Sequence, residues 1–222
     1  MNRFKRIGIL FALKKEYKGF TDNLSSHIEN VEQKPFFCSK FCYKNYEIIF
    51  TVSGLGKVRA AACTQHLIDK YQPELIINVG SSGGVCSKVS TKDTYFVATI
   101  VEYDFMSLRE GTPVIGVDNE LLNTAQKINL PFAVLGSADQ NADTQEKKER
   151  LHKTGITIAD WEGIAVAKTC NINNVKFALF KIVTDTSNKD FSKEFSQNVF
   201  QFNKHLNDVV FNFIDVLDNE AK

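Results

Sequence analysis

Short apolar runs alternate with amphipathic segments along the whole chain. Ile7-Gly-Ile-Leu-Phe-Ala-Leu13 leads into Lys14 to Asn23, and Tyr17, Phe20 and Leu24 recur there at helical spacing, which predicts a strand feeding a helix. Phe36 to Tyr43 and Glu47 to Ser53 read as two strands joined by Lys44-Asn45, a hairpin. Ser53-Gly-Leu-Gly-Lys-Val58 ends the second strand and opens a helix over Lys57 to Tyr71. Leu75-Ile-Ile-Asn-Val79 is a continuous apolar strand that runs into the glycine-rich stretch Gly80-Ser-Ser-Gly-Gly84. Further strands are predicted at Asp93 to Val101 and Pro131 to Leu135, and helices at Asn119 to Ile128 and Thr144 to His152. Thr157 to Gly163, Ile164 to Cys170 and Lys176 to Val183 read as strand, helix and strand. The last of these is apolar nearly throughout, as a strand buried on both faces should be. A long terminal helix follows, with Phe195, Val199, Phe202, Leu206, Val209, Val210, Phe213, Ile214 and Leu217 on one stripe, expected to pack on the sheet.

Strands and helices interleaved without a linker, repeat or low-complexity tract predict an α/β fold, a three-layer sandwich with a central mixed β-sheet flanked by helices. All of residues 1–222 are expected in one domain. Composition supports a large core, with 43% hydrophobic residues and 18 Phe. The net charge of +1, with dispersed cations, argues against nucleic acid as a partner, because there is no basic excess to neutralise phosphates. Five Cys (38, 42, 63, 86, 170) without paired C-x-x-C spacing argue for free thiols in a reducing compartment rather than a metal site. The apolar run near the N-terminus is too short for a secretory signal, and no segment approaches the ~20 apolar residues that span a bilayer. A cytoplasmic protein with no membrane partner is the expectation.

Three motif-like stretches are tested by their spacing and fail. Gly54-Leu-Gly56-Lys57 lacks the P-loop interval. Gly80-Ser-Ser-Gly-Gly84 places Ser82 at a nucleophile position, but no helical pattern follows, and the downstream histidines His152 and His205 lie in charged, surface-like surroundings. Asp139, Asn141 and Asp143 alternate like a calcium loop, yet Thr144 stands where glycine is required and Arg150 where glutamate is. What remains are three acids at element ends: Glu16, Glu162 and Asp185. Ligands of open α/β sheets collect at the carboxyl ends of strands. Glycosidic cleavage wants one acid for the leaving group, one carboxylate for water and an acceptor for sugar hydroxyls. Glu16 alone reads equally well as a helix-start charge.

Taken together and in order, Ile7-Gly-Ile with Glu16, Ser53-Gly-Leu-Gly-Lys57, Ile76-Ile-Asn-Val-Gly-Ser-Ser-Gly-Gly84, Asp160-Trp-Glu-Gly163 and Val183-Thr-Asp185 resemble the purine nucleoside phosphorylase and nucleosidase superfamily. They are most similar to the methylthioadenosine/S-adenosylhomocysteine nucleosidases. The resemblance covers nearly the whole chain. It implies a nucleoside phosphorylase-like fold and hydrolysis of a purine N-ribosidic bond with no cofactor, no metal and a small-molecule purine nucleoside as partner, in a homodimer. By position it makes Asp185 the group that protonates or hydrogen-bonds purine N7, a role for which burial should raise its pKa. Glu16 becomes the base for the attacking water and Glu162 the acceptor for the ribose hydroxyls. Ser81, Gly83 and Phe191 would contact substrate, with Trp161 near the 5′ group and Asn141 and Ala142 near the base. Trp161 stands where the nucleosidases carry Met, Gln140-Asn141-Ala142 where a Phe stacks on the purine, and Lys181 where an Arg is usual. Arg and Lys differ at a bidentate site. A related nucleosidase acting on another nucleoside such as futalosine, a phosphorylase, and a nucleoside-binding protein without turnover are the alternatives. Neither a Gly-Asp-Pro pattern in the first loop nor an Arg beside Gly80 favours phosphate as nucleophile, with Lys14 and Lys15 the nearest cations.

Overall fold

The computed structural model describes residues 5–22, 24, 28–186 and 191–219. In chain order the first half contains β1 (Arg6–Phe11), α1 (Lys14–Thr21), β2 (Glu29–Glu32), β3 (Phe37–Tyr43), β4 (Tyr46–Val52), α2 (Lys57–Tyr71), β5 (Leu75–Gly84) and β6 (Thr94–Glu102). The second half contains β7 (Val114–Gly116), α3 (Asn119–Lys127), β8 (Phe132–Ser137), α4 (Gln145–Lys153), β9 (Ile158–Asp160), α5 (Gly163–Ile172), β10 (Lys176–Asp185) and α6 (Phe191–Asn219). The strands form one mixed sheet, as the alternation of elements predicts. β1 pairs in parallel with β4 and β5, β10 in parallel with β5 and antiparallel with β6, and β2, β3 and β4 form an antiparallel edge. The hairpin at Lys44-Asn45 is present, with Lys44 in the left-handed region at φ 53°.

β5 organises the rest. Its first residues sit between β1 and β10, and its last two pair with β9, which pairs with β8, then β6, then β10. The pairings β5-β10-β6-β8-β9-β5 therefore close a circuit, and the carboxyl ends of several strands converge there. The predicted strand, bounded in the sequence at Val79, continues through Gly80 to Gly84: Gly80, Ser81 and Ser82 face Lys181, Ile182 and Val183, and Gly83 and Gly84 face Ala159 and Ile158. Glycine propensity against strand is weak beside two flanking partners that satisfy its backbone. The register of β10 shifts at Thr184, so that Asp185 comes opposite Gly83. A bulge of this kind re-aims the side chain that follows it.

Two groups of helices cover the sheet. α2 packs on α5, and both touch the sheet; α6 packs on α1 and on β10, with α3 beside it. The α6 stripe is buried as its spacing predicts, with Val199, Leu206, Val210, Phe213 and Ile214 enclosed against β10 and the aromatic cluster of Phe96 and Phe180. β2 and β7 were not legible in the sequence: both are short, and Glu29–Glu32 carries no apolar face to give a period of two. Among the described residues no helix is long and apolar enough to cross a membrane. All five cysteines are free; Cys38, Cys63 and Cys170 are buried, Cys86 is half-buried and Cys42 is exposed.

Candidate functional site

A cavity of about 400 Å³ opens at the carboxyl ends of β1, β5, β9 and β10. Glu16, Ser81, Gly83, Asn141, Ala142, Trp161, Glu162 and Asp185 all line it, so eight of the nine residues singled out in the sequence meet in one place. The ninth, Phe191, begins α6, and its side chain lies outside the described residues. One turn further along the same helix, Phe195 and Ser196 form part of the wall. The apolar stripe had included Phe195 only as a packing residue; nothing in its spacing distinguishes a core position from the rim of a cavity.

Each acid is delivered differently. Glu16 lies in the first turn of α1, and its Oε2 accepts the Leu13 N–H at 3.0 Å, which is what a helix-start carboxylate does. Its Oε1 accepts the Ser81 N–H at 2.8 Å, and the carboxylate rests against Gly80, where a Cβ would lie 2.9 Å from Oε1. The glycine is therefore required by close approach of an acid to β5. Helix-start charge and site residue are the same group. Glu162 caps the start of α5, and its Oε1 accepts the N–H of Gly56, a residue held at φ 93° in the loop before α2. Asp185 ends β10 beyond the bulge, with its Oδ2 accepting the Thr184 hydroxyl at 3.1 Å. All three are at most 7% exposed.

Behind the acids Lys181 and Asp160 form an ion pair at 2.8 Å, with both side chains almost fully enclosed. Asp160 also accepts the Gly163 N–H, which fixes the turn that presents Glu162. Burial pushes the Glu16 carboxyl above its ordinary range, against the opposing pull of the Ser81 amide and the Lys181 charge. Glu162 is raised as well, first by burial and then by the Asp160 charge, with Lys181 and the Gly56 amide opposing. One enclosed cation thus serves three neighbouring carboxylates and is already committed to Asp160. Glu16 and Glu162 therefore hold their protons more readily than exposed carboxyls do. The sequence marked Lys181 only as a departure from an Arg; its pairing with Asp160 is a tertiary fact.

The loop on the other side is held by polar bonds. Asp139 accepts the Lys57 N–H at 2.8 Å and donates its own N–H to Asp104, while Lys57 Nζ reaches Glu102 and Asp104 at 2.9 and 2.7 Å. Tyr103 donates its hydroxyl to the Gln140 carbonyl at 2.9 Å. Ser82, considered as a nucleophile, instead donates to the Ile182 carbonyl at 3.4 Å, and His152 and His205 are exposed on α4 and α6. Away from the cavity, Glu32, Cys38 and His66 bring ligand-type atoms within 4.8 Å of one another. Glu32 there accepts from His66 at 2.9 Å, Tyr71 at 3.0 Å and Lys70 at 2.9 Å. Burial raises its carboxyl, but these donors outweigh that and bring it down to about 2. The cluster is a filled hydrogen-bond set that ties β2 to α2.

The family model described as "Phosphorylase superfamily" matches residues 6–215. The chain belongs to the phosphorylase superfamily. It is similar to the 5′-methylthioadenosine/S-adenosylhomocysteine nucleosidase of Bacillus cytotoxicus, 26% identical over 219 residues, covering 90% of this chain and 94% of that protein. The nucleosidase of the same name from Staphylococcus aureus strain MRSA252 is 26% identical over 208 residues, covering 85% and 90%. Among solved structures, a Helicobacter pylori 5′-methylthioadenosine/S-adenosylhomocysteine nucleosidase superposes with a TM-score of 0.88 at 21% identity, covering 95% of this chain and 98% of the other. A futalosine hydrolase mutant from the same species superposes with a TM-score of 0.86 at 20% identity, covering 95% and 99%. These likenesses establish the fold, an α/β sandwich on a mixed central sheet, in agreement with the pattern of the sequence.

Proposed function

We propose that this chain hydrolyses the N-ribosidic bond of purine nucleosides, with a 5′-modified adenosine such as methylthioadenosine or S-adenosylhomocysteine as substrate. The observation that carries the proposal is the convergence of Glu16, Glu162 and Asp185 in one cavity of about 400 Å³, a volume within the ordinary range for small-molecule sites. Asp185 delivers a proton or hydrogen bond to N7 of the departing base. Glu16, whose raised pKa makes it a better base, orients water and takes its proton. Glu162 receives the ribose hydroxyls through the oxygen that Gly56 leaves over, and Ser81, Gly83, Trp161, Asn141 and Ala142 complete substrate contacts. As the bond to the base breaks, the sugar becomes oxocarbenium-like, and a cavity rich in carboxylates stabilises that charge.

Water rather than phosphate fits the wall. Among the described residues that line the cavity there is no Lys or Arg, and the buried Lys181 is held by Asp160. A phosphate dianion would meet several carboxylates without a counter-charge. Lys14, Lys15 and Arg59 line a separate depression on the far side of Ala12 and Leu13. Asn141 and exposed Gln140 on the base side support a second substrate reading, another purine nucleoside such as futalosine whose base is held here by hydrogen bonds rather than by an aromatic ring. We further infer a single domain, on the strength of one continuous sheet, and a homodimer, which the exposure of the apolar side chains Val58 and Met106, at 81% and 75%, supports. A cytoplasmic location is part of the same reading, supported by the free thiols. The deciding experiment measures free base released from methylthioadenosine, S-adenosylhomocysteine, adenosine, inosine and futalosine, with and without phosphate. Release without phosphate supports the hydrolase and names its substrate; release only with phosphate makes it a phosphorylase; no release from any member sinks the proposal.

A further inference from the structure

The end of β10 is held from outside the cavity by side chains of two helices. Asn198 of α6 donates to the Thr184 carbonyl at 2.9 Å, Lys148 of α4 donates to the Thr186 carbonyl at 2.6 Å, and Glu194 of α6 accepts the Thr186 N–H at 3.3 Å. These bonds bracket Asp185 on both sides along the chain. Lys148 is only 7% exposed. Lysine is seldom so enclosed without a partner that requires it. Burial lowers its pKa, and the charges of Asp185 and Glu194 oppose that loss.

The preceding residue points the other way. Lys147 Nζ reaches the Asn141 carbonyl at 3.3 Å and Asp143 at 2.9 Å, holding the loop that forms the base side of the cavity. Successive residues of a helix diverge by about 100°, so two adjacent lysines can grip two different walls. α4 begins where that loop ends, at the Thr144 cap.

We propose that Lys148 is a positioning residue for Asp185, and that α4 sets the separation between the base-side loop and the carboxyl group that serves the departing base. This inference rests on the hydrolase reading above and adds a residue outside the cavity wall to it. A proton donor must lie ~2.6–3.2 Å from its acceptor in the bound pose, and the cost of misplacing such a group by about 1 Å is on the order of 10²-fold in rate.

The test uses the full chain with Lys148→Met, Lys148→Arg and Glu194→Met, measuring base release from methylthioadenosine and binding through the fluorescence of Trp161, the single Trp of the chain, which lines the cavity. Lys148→Met should lower kcat about 30-fold while KM and the binding constant change less than about threefold, because the base-side wall is retained and only the acid is displaced. Lys148→Arg, which still donates to the Thr186 carbonyl, should recover kcat to within about fivefold of wild type. Should Lys148→Met fail to fold, Glu194→Met, which removes the acceptor of the Thr186 N–H from the α6 side of the same residue, should show the same fall in kcat at nearly constant KM. Wild-type kcat in Lys148→Met, or a loss that appears equally in binding, or one that Arg does not recover, overturns the positioning role while leaving the hydrolase reading intact. A wild-type chain that releases no base from any nucleoside overturns both.

Discussion

The two walls of the cavity are built by different means. The acid wall is carried by the sheet: Glu16 is bonded to the backbone of Leu13 and β5, Glu162 to the Gly56 amide, and Asp185 follows a bulge in a strand paired on both sides. The base wall, Asp139 to Asp143, is a loop held by side-chain bonds to Asp104, Tyr103 and Lys147, and Gln140 and Asp143 are exposed. The core fixes the first and solvent competes for the second. Chemistry common to many substrates belongs on rigid elements, whereas choice of substrate can be altered in a loop without unfolding the sheet.

The sharpest way to break this contrast is on the acid wall. Asp185→Asn should lower kcat by about 10²–10⁴-fold with nucleoside still bound, checked by base release against Trp161 quenching. Unimpaired turnover would remove Asp185 from the mechanism. Next comes the support behind the wall. Lys181→Met strands Asp160 as an enclosed charge 1% exposed in its side chain, and loss of one partner of such a pair costs about 3–5 kcal/mol in thermal or denaturant unfolding. A variant as stable as wild type would show that the Lys181–Asp160 pair does not support the acid wall.

Acid–base linkage gives a smaller effect of defined sign. Glu16 and Glu162 have folded-state pKa values above those of the unfolded chain, so the folded protein holds protons that the unfolded chain releases as pH rises above about 4.5. Stability without ligand should therefore fall from weakly acidic toward alkaline pH. Below that point the sign reverses, because Glu32, Glu47, Glu102 and Asp104 have lowered values and lose their partners on protonation. Glu162→Gln should flatten the slope between weakly acidic and alkaline pH by a few degrees in Tm; an unchanged slope would count against a carboxyl raised by burial at that position. The smallest effect belongs to the base wall. Asn141→Phe should tighten adenine nucleosides by about 1 kcal/mol, roughly fivefold in KM, through stacking and without change in kcat. A fall in kcat instead would show that the two walls are not separable.

How much of this was legible beforehand depended on the range of the interactions. Periodicity predicted the strands and helices that are long and apolar, the hairpin at Lys44-Asn45 and the buried stripe of α6, because burial imposes a repeat of two or 3.6 residues on sequence itself. It gave no sign of β2 or β7, and it ended the β5 strand at Val79, because the pairing to β9 and β10 that carries it on through Gly80 to Gly84 leaves no apolar period in glycine and serine. Motif order likewise singled out Glu16, Glu162 and Asp185, whose types and spacing survive in one dimension. What only the tertiary structure decided is how those acids are supported. Gly80 yields space to Glu16, Lys181 is matched to Asp160 and Lys148 reaches Thr186 across 38 residues of sequence. Such contacts are set by where the sheet closes and which helix lies against its end, and a linear pattern records hydrophobic burial far more faithfully than it records which buried charge meets which.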